Sequence, residues 1–271
     1  MPASRSRRPD IKLERRRRRW PLIFLGVIAL AASLAAALVF VLPASVISHF
    51  LPAQVHAEDF SGSLVHGAAG RLTVNARDAG AIEWQLHPLS LLRMALVVDI
   101  HWVKVGFVID GTVEFAGHGV AGHDIQGGGP IEDLHDLGLA AGWSGTAHLM
   151  IAQFKGDFQR VDSAMGTLDV AHLSGAQIAG GSDLGSYVLQ LAPGALASDG
   201  TITADLKDTG GPLEAQAQIR YAPATHTGML SGTLKERAEA SPALRNQLSS
   251  LSQLRPRDAA GRFPVDLEFT L

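Results

Sequence analysis

The sequence contains no cysteine. That excludes a disulfide scaffold, a thiolate nucleophile and a thiolate metal site. No P-loop is present, and no H-x-H or H-E-x-x-H pair that would suit a metal. No serine stands in G-x-S-x-G, since Gly142-Trp143-Ser144-Gly145 lacks the second glycine where it is needed. Aromatic residues are sparse at 6%, whereas glycine is abundant with 29 residues. Many glycines among short apolar runs indicate tight turns between short strands.

Charge is divided unevenly. Residues 1–19 hold nine Arg or Lys against two Asp or Glu, a net charge of +7. The whole chain carries −3, so the remainder carries −10. A nucleic-acid-binding body would show the opposite sign, and no nucleic-acid partner is expected. Trp20–Leu42 follows directly on Arg15-Arg16-Arg17-Arg18-Arg19 and has 23 residues without a charge. At about 1.5 Å per residue such a helix reaches roughly 35 Å, enough for a hydrocarbon core of about 30 Å. The arginines mark the cytoplasmic end of a single transmembrane helix, and Trp20 is its interfacial anchor. A cleaved signal peptide is the competing assignment, with Val55-His56-Ala57 as its small-residue site. An h-region is much shorter than this stretch, and the site lies far beyond Leu42. The expected organisation is a basic cytoplasmic tail (1–19), a transmembrane helix (20–42), a linker (43–59) and a periplasmic β domain (60–271) on a bacterial inner membrane.

Beyond Phe60 the pattern is that of strands. Ile82, Trp84 and Leu86 alternate with Glu83 and Gln85. Further strands are expected at 71–76, 94–103, 104–108, 146–151, 166–171, 187–191, 201–206, 213–221 and 229–234. Pro88–Arg93 is read as one helical turn and Ile131–Leu139 as a short helix. Gly117–Pro130 is read as a loop. The triplet glycine, Ser or Thr, apolar residue recurs at Gly62, Gly111, Gly145, Gly166, Gly200 and Gly232. Its spacing is too irregular for a solenoid but suits an antiparallel meander in which each glycine makes the turn. Ser241-Pro242 opens a helix, with serine as cap. Leu244, Leu248, Leu251 and Leu254 lie on one stripe of it. That stripe packs on the sheet or offers a face to a partner. Gly261–Leu271 closes as a strand. The fold class is therefore mainly β: a largely antiparallel, twisted and curved sheet with a short C-terminal amphipathic helix.

Catalytic chemistry is hard to find. Gly117–Gly122 matches G-x-G-x-x-G, but the following His-Asp-Ile-Gln-Gly-Gly-Gly-Pro cannot open the helix that holds a pyrophosphate. His118, His123 and Asp124 are near one another but lack ligand spacing. Glu132, Asp133 and Asp136 suit the start of a short helix. No cofactor is expected, and no enzymatic activity.

With the strands laid out, the chain resembles the type II secretion system protein N family over nearly its full length. After the basic tail and single span comes Leu42-Pro43-Ala44-Ser45. Phe60–Ala68 (FSGSLVHGA) follows, with Gly62 in its Ser-Gly-Ser. Ile82–Leu92 (IEWQLHPLSLL) carries Trp84, Pro88, Leu91 and Leu92. Leu184-Gly185-Ser186-Tyr187 comes later, and the Leu-rich helix precedes Gly261-Arg262-Phe263. The resemblance implies an accessory inner-membrane scaffold that works with other secretion subunits in exporting folded proteins from the periplasm. The alternative is an envelope protein of the AsmA-like or LptC-like kind, carrying lipid along a curved apolar sheet face.

Overall fold

The computed structural model describes residues 41–49, 51–137, 141–157, 161–176, 178, 180–191, 201–222, 225, 227–252 and 256–270. The tail and almost all of the apolar stretch, from Arg15–Arg19 and Trp20 up to residue 40, lie outside them. Among the described residues no helix is long and apolar enough to cross a membrane.

The strands are β1 (Val55–Gly62), β2 (His66–Val74), β3 (Arg77–Leu86), β4 (Ala95–Lys104), β5 (Phe107–Ala116), β6 (Gly119–Pro130) and β7 (Trp143–Gly156). They continue with β8 (Val161–Gly175), β9 (Asp183–Leu191), β10 (Ile202–Gly210), β11 (Leu213–Ala222), β12 (Thr227–Glu236) and β13 (Phe263–Thr270). One helix, α1 (Pro242–Ser252), joins the last two. All 13 strands form one antiparallel sheet in sequence order. Each strand therefore takes its register from the hairpin it shares with the strand before it.

That register separates the residues by polarity. Opposed residues of paired strands share a face. One line of opposed residues crosses every strand: Phe60, Ala69, Ile82, Trp102, Ile109, Gly127, Leu149, Leu168, Leu189, Leu206, Ala217, Gly232 and Val265. Every member is apolar. On the other face the line is Glu83, His101, Asp110, Gln126, Met150, Thr167, Gln190, Asp205, Gln218, Ser231 and Asp266. Only Met150 breaks its polarity. Strict alternation fails in β7, where Ile151 is followed three residues later by Phe154. A register shift between Ile151 and Gln153 leaves Ala152 unpaired. Phe154 thereby opposes Gly122, which in turn opposes Val113 on the apolar face. The bulge re-aims the chain and keeps the apolar face continuous.

The glycines of the repeated triplet are not mainly turn residues. Gly62, at φ +80°, does end β1 at a hairpin. Gly111, Gly145, Gly166 and Gly232 lie inside strands instead, and Gly200 lies outside the described residues. A β-carbon on Gly166 would stand 2.5 Å from the Met150 carbonyl oxygen and 2.9 Å from the Ile151 Cα. On Gly232 it would stand 2.4 Å from the Gln216 carbonyl oxygen and 2.6 Å from the Ala217 Cα. Opposed Cα atoms in a regular ladder are about 4.5–5.5 Å apart, so these approaches require the neighbouring strand to tilt over that face. Both glycines lie on the apolar face. The sheet is creased toward it, which puts the apolar side chains on the inside of the curve.

Other boundaries differ from expectation. The segment read as a linker up to residue 59 holds a 3-10 turn at Ala44–His49 and all but the end of β1. Ala44 is buried there against Gly67, so the segment is part of the packed domain. Gly119–Pro130, read as a loop, is β6. Its glycines fit where a side chain would strike the next strand, as Gly127 would strike Ile109. The strand placed at residues 104–108 is a hairpin, with Val105 at φ +52° in the turn.

Burial is thin. Among the described residues, no large side chain falls below 2% exposure. Leu184, Tyr187, Leu213, Ala215, Leu244, Leu248 and Phe263 form one buried cluster, and Phe107, Ile131 and Ala147 form another. Trp143 and Leu173 touch both clusters. The covers are α1 and the 3-10 turn Ile131–Leu137. Both belong to connections leaving the same rim, where β6–β7 and β12–β13 are joined. Ser241 caps α1 by accepting from the Leu244 N–H at 3.2 Å.

Two kinds of substitution test this architecture. Gly166→Ala and Gly232→Ala are each expected to cost about 1–3 kcal/mol through overpacking. Leu244→Ala is expected to cost about 2–5 kcal/mol. Chemical denaturation of the detergent-solubilised chain measures all three. Wild-type stability in both glycine variants would show that the sheet is not creased at those points.

Candidate binding face

Three motifs scattered along the sequence meet at the rim opposite α1. The Leu42 carbonyl accepts from the Leu64 N–H at 2.8 Å. Pro43 bridges to Ser63, and Ala44 lies under Gly67 with 1% exposure. Ser45 is exposed, and its carbonyl accepts from the Ser48 hydroxyl at 2.7 Å. The Trp84 indole N–H donates to the Leu64 carbonyl at 3.0 Å. Its ring meets Phe60 edge to face at 6.5 Å. A β-carbon on Gly67 would collide with that ring at 2.6 Å. It would also stand 2.6 Å from the Ser63 carbonyl oxygen, so both the hairpin and the ring need a glycine here. Pro88 then opens the 3-10 turn Pro88–Arg93, leaving Leu91 and Leu92 exposed.

The later motif residues serve the opposite rim. Gly185, at φ +117°, lets its backbone press against Gly210 and Gly211. Gly261, at φ +75°, completes a turn in which the Asp258 carboxylate accepts from the Arg262 N–H at 2.8 Å. Leu244 and Leu248 are 2% and 5% exposed, packed with Leu213 and Phe263. Of the two readings of the stripe, packing on the sheet or a face for a partner, these two leucines take the first. Leu251 follows in α1, and its side chain lies outside the described ones. Tyr187 lies in the same cluster. Burial pushes its phenol up to about 12, and its hydroxyl donates to the Leu184 carbonyl.

Two of the carboxylates read as a helix start, Glu132 and Asp133, stand in the first turn of the 3-10 segment Ile131–Leu137 and also reach across to other strands. Asp133 accepts from the Gly106 N–H at 3.2 Å, and Glu132 from the Gly145 N–H at 3.4 Å. They fasten the 3-10 turn to the β4–β5 hairpin and to β7, which no local pattern announces. Gly117-His118 forms the tip of a hairpin, and His123 and Asp124 lie in β6, so no helix opens at the third glycine. The G-x-G-x-x-G run is thus a turn followed by a strand.

What remains is the apolar face. Between the covered rim and the motif rim it is half-buried by its own curvature, with no second sheet over it among the described residues. The last line before the motif rim, Leu96, Phe115, Val120, Gly156 and Val161, is still wholly apolar. Such a face presents area and shape to an apolar occupant. The free edges are less inviting. β13 carries Pro264, Asp266 and Glu268, and β1 is bent at Asp59, with φ +58°. Proline, charge and bends on edge strands discourage strand addition.

The polar face carries two close His–Asp pairs, His87 with Asp99 and His101 with Asp110, each at 2.6 Å. The Asp110 carboxylate raises the His101 imidazole above its ordinary 6.5. The Thr112 hydroxyl bonded to Asp99 lowers that carboxyl.

A family model described as "Type II secretion system (T2SS), protein N" matches residues 53–266. No curated protein and no solved structure matches the chain.

The His101–Asp110 pair gives a pH prediction. The folded chain holds the His101 proton more tightly than the unfolded chain. The pair therefore adds stability below the ordinary value, and loses that contribution as pH rises through the raised one. Asp110→Asn is expected to lower the melting temperature at about pH 5.5 and to leave it unchanged at about pH 8.5. Equal loss at both values would show that the pair is not titrating.

Proposed function

Since the chain belongs to the type II secretion system protein N family, we propose that it is an accessory scaffold of that machinery, anchored in the inner membrane. As a component of the system it works with other secretion subunits. The uncharged stretch Trp20–Leu42 spans the bilayer, and Arg15–Arg19 hold its start in the cytoplasm. The sheet then lies in the periplasm, where exported proteins fold before they leave. The scaffold does no covalent chemistry. It offers a shaped surface beside the path of export.

The observation that carries this proposal is the apolar line crossing every strand, partly packed under the covered rim and otherwise without a second sheet over it among the described residues. Burying apolar area is worth about 25 cal/mol per Å², so a face of this kind favours an occupant. Photo-crosslinking residues at Leu149, Leu168 and Leu206 in cells with the intact machinery test what that occupant is. Adducts to secretion subunits are expected, together with reduced release of exported proteins when the chain is deleted. Unchanged secretion and no protein adducts would remove the scaffold role.

The same line also supports a lipid-carrying role, because the face runs apolar to the rim next to the anchor. In that case the adducts are to acyl chains, and the purified chain retains lipid in stoichiometric amount. Protein adducts without retained lipid exclude it.

A further inference from the structure

Among the described residues, the turn between β3 and β4 carries the two most exposed large apolar side chains, Met94 and Leu92, with Leu89 beside them. Leu89, Leu92 and Met94 are 79%, 84% and 90% exposed. They have not simply missed the sheet. The turn is pinned in place: the Ser90 hydroxyl donates to the His87 carbonyl at 2.6 Å and accepts from the Val97 N–H at 3.1 Å. The Met94 N–H donates to the Leu91 carbonyl at 3.0 Å, with Met94 at φ +56°. His87 is further held by Asp99. The backbone is thus satisfied within the turn, and the apolar side chains are presented outward.

The position of the turn identifies its surroundings. Leu42, the last residue of the uncharged stretch, is hydrogen-bonded to Leu64 in the β1–β2 hairpin. Val65, the next residue, accepts from the Leu86 N–H at 2.7 Å, and Pro88 follows. No free linker separates the stretch from this rim. Neighbouring strands are about 4.8 Å apart, so the turn lies within roughly two strand spacings of the hairpin that fixes Leu42. Val41, 80% exposed, adds to the same rim. Arg93 is exposed beside the leucines, where a guanidinium suits a phosphate headgroup.

We infer that Leu89, Leu92 and Met94 insert into the outer leaflet of the phospholipid bilayer that receives Trp20–Leu42, so that the sheet stands with its open apolar rim against the membrane. This rests on the anchor proposed above. It adds a second contact with the bilayer and fixes the orientation of the sheet. The opposite rim, with α1 and the exposed Val105, then points away.

The chain has no cysteine, so a single introduced one gives a unique label. Leu92→Cys, Met94→Cys and Val105→Cys, each carrying an environment-sensitive fluorophore, are reconstituted as full chains into phosphatidylethanolamine–phosphatidylglycerol vesicles containing nitroxide-labelled lipid. Loss of most of the fluorescence at positions 92 and 94, with retention at 105, is the expected result. Retention at all three, in chains that survive carbonate extraction, overturns the inference while leaving the anchor intact. Equal loss at 105 overturns it too, as does a label shielded only when other secretion subunits are added, which would make the turn a protein contact. Chains stripped from vesicles by carbonate would remove the anchor itself, and the inference with it.

Discussion

Strand register is the constraint on which this molecule depends. A β-strand alternates its side chains, so a slip of one residue sends its apolar set to the wrong side. Here each of the 13 strands is registered on its sequence neighbour, and the apolar line survives from Phe60 to Val265. Bulges do not interrupt it. The unpaired Ala152 returns Phe154 to the apolar side after alternation has failed. Creases at Gly166 and Gly232 then close the sheet over that side. Polarity, curvature and partial burial all follow from one set of pairings.

A single curved layer buries little. Only its α1 rim has a true core, around Leu244, Leu248 and Phe263. Beyond it and the smaller cluster around Ile131, the described apolar face is only half-buried. An ordinary two-layer domain would cover such a face with a second sheet or a row of helices. Leaving it open costs stability, and that is understandable if the face serves an occupant. Membership of the family makes the chain a component of the type II secretion system, and the contact surface proposed above would give the open face its occupant.

The two rims divide the labour. At the covered rim, Glu132 and Asp133 fasten a 3-10 turn, α1 packs down, and Tyr187 is buried with its hydroxyl satisfied. At the other rim, Trp84, Gly67, Ala44 and Leu42 tie the chain's entry point to the first hairpin. The apolar turn bearing Leu89, Leu92 and Met94 stands beside them. Rigidity at one rim and apolar exposure at the other are what the membrane contact proposed above requires.

Much of this was legible in the residues. The mainly β class, the turn at Pro88, the capped helix at Ser241 and the closing strand all rest on local patterns of period and capping, which neighbours in sequence are enough to set. The family motifs could be read, but not their meeting. Leu42, Gly67 and Trp84 are far apart in sequence, and only pairing of three strands brings them together. The glycines were misleading for a physical reason. A glycine in sequence says that a side chain is unwanted, and a turn and a crease both want none. The leucine stripe of α1 was equally ambiguous, since an apolar stripe fits its own sheet as well as a partner. Sequence alone determined which residues are apolar and how they alternate. The tertiary structure decided which of them are covered, because coverage depends on curvature and on which connections return over the sheet.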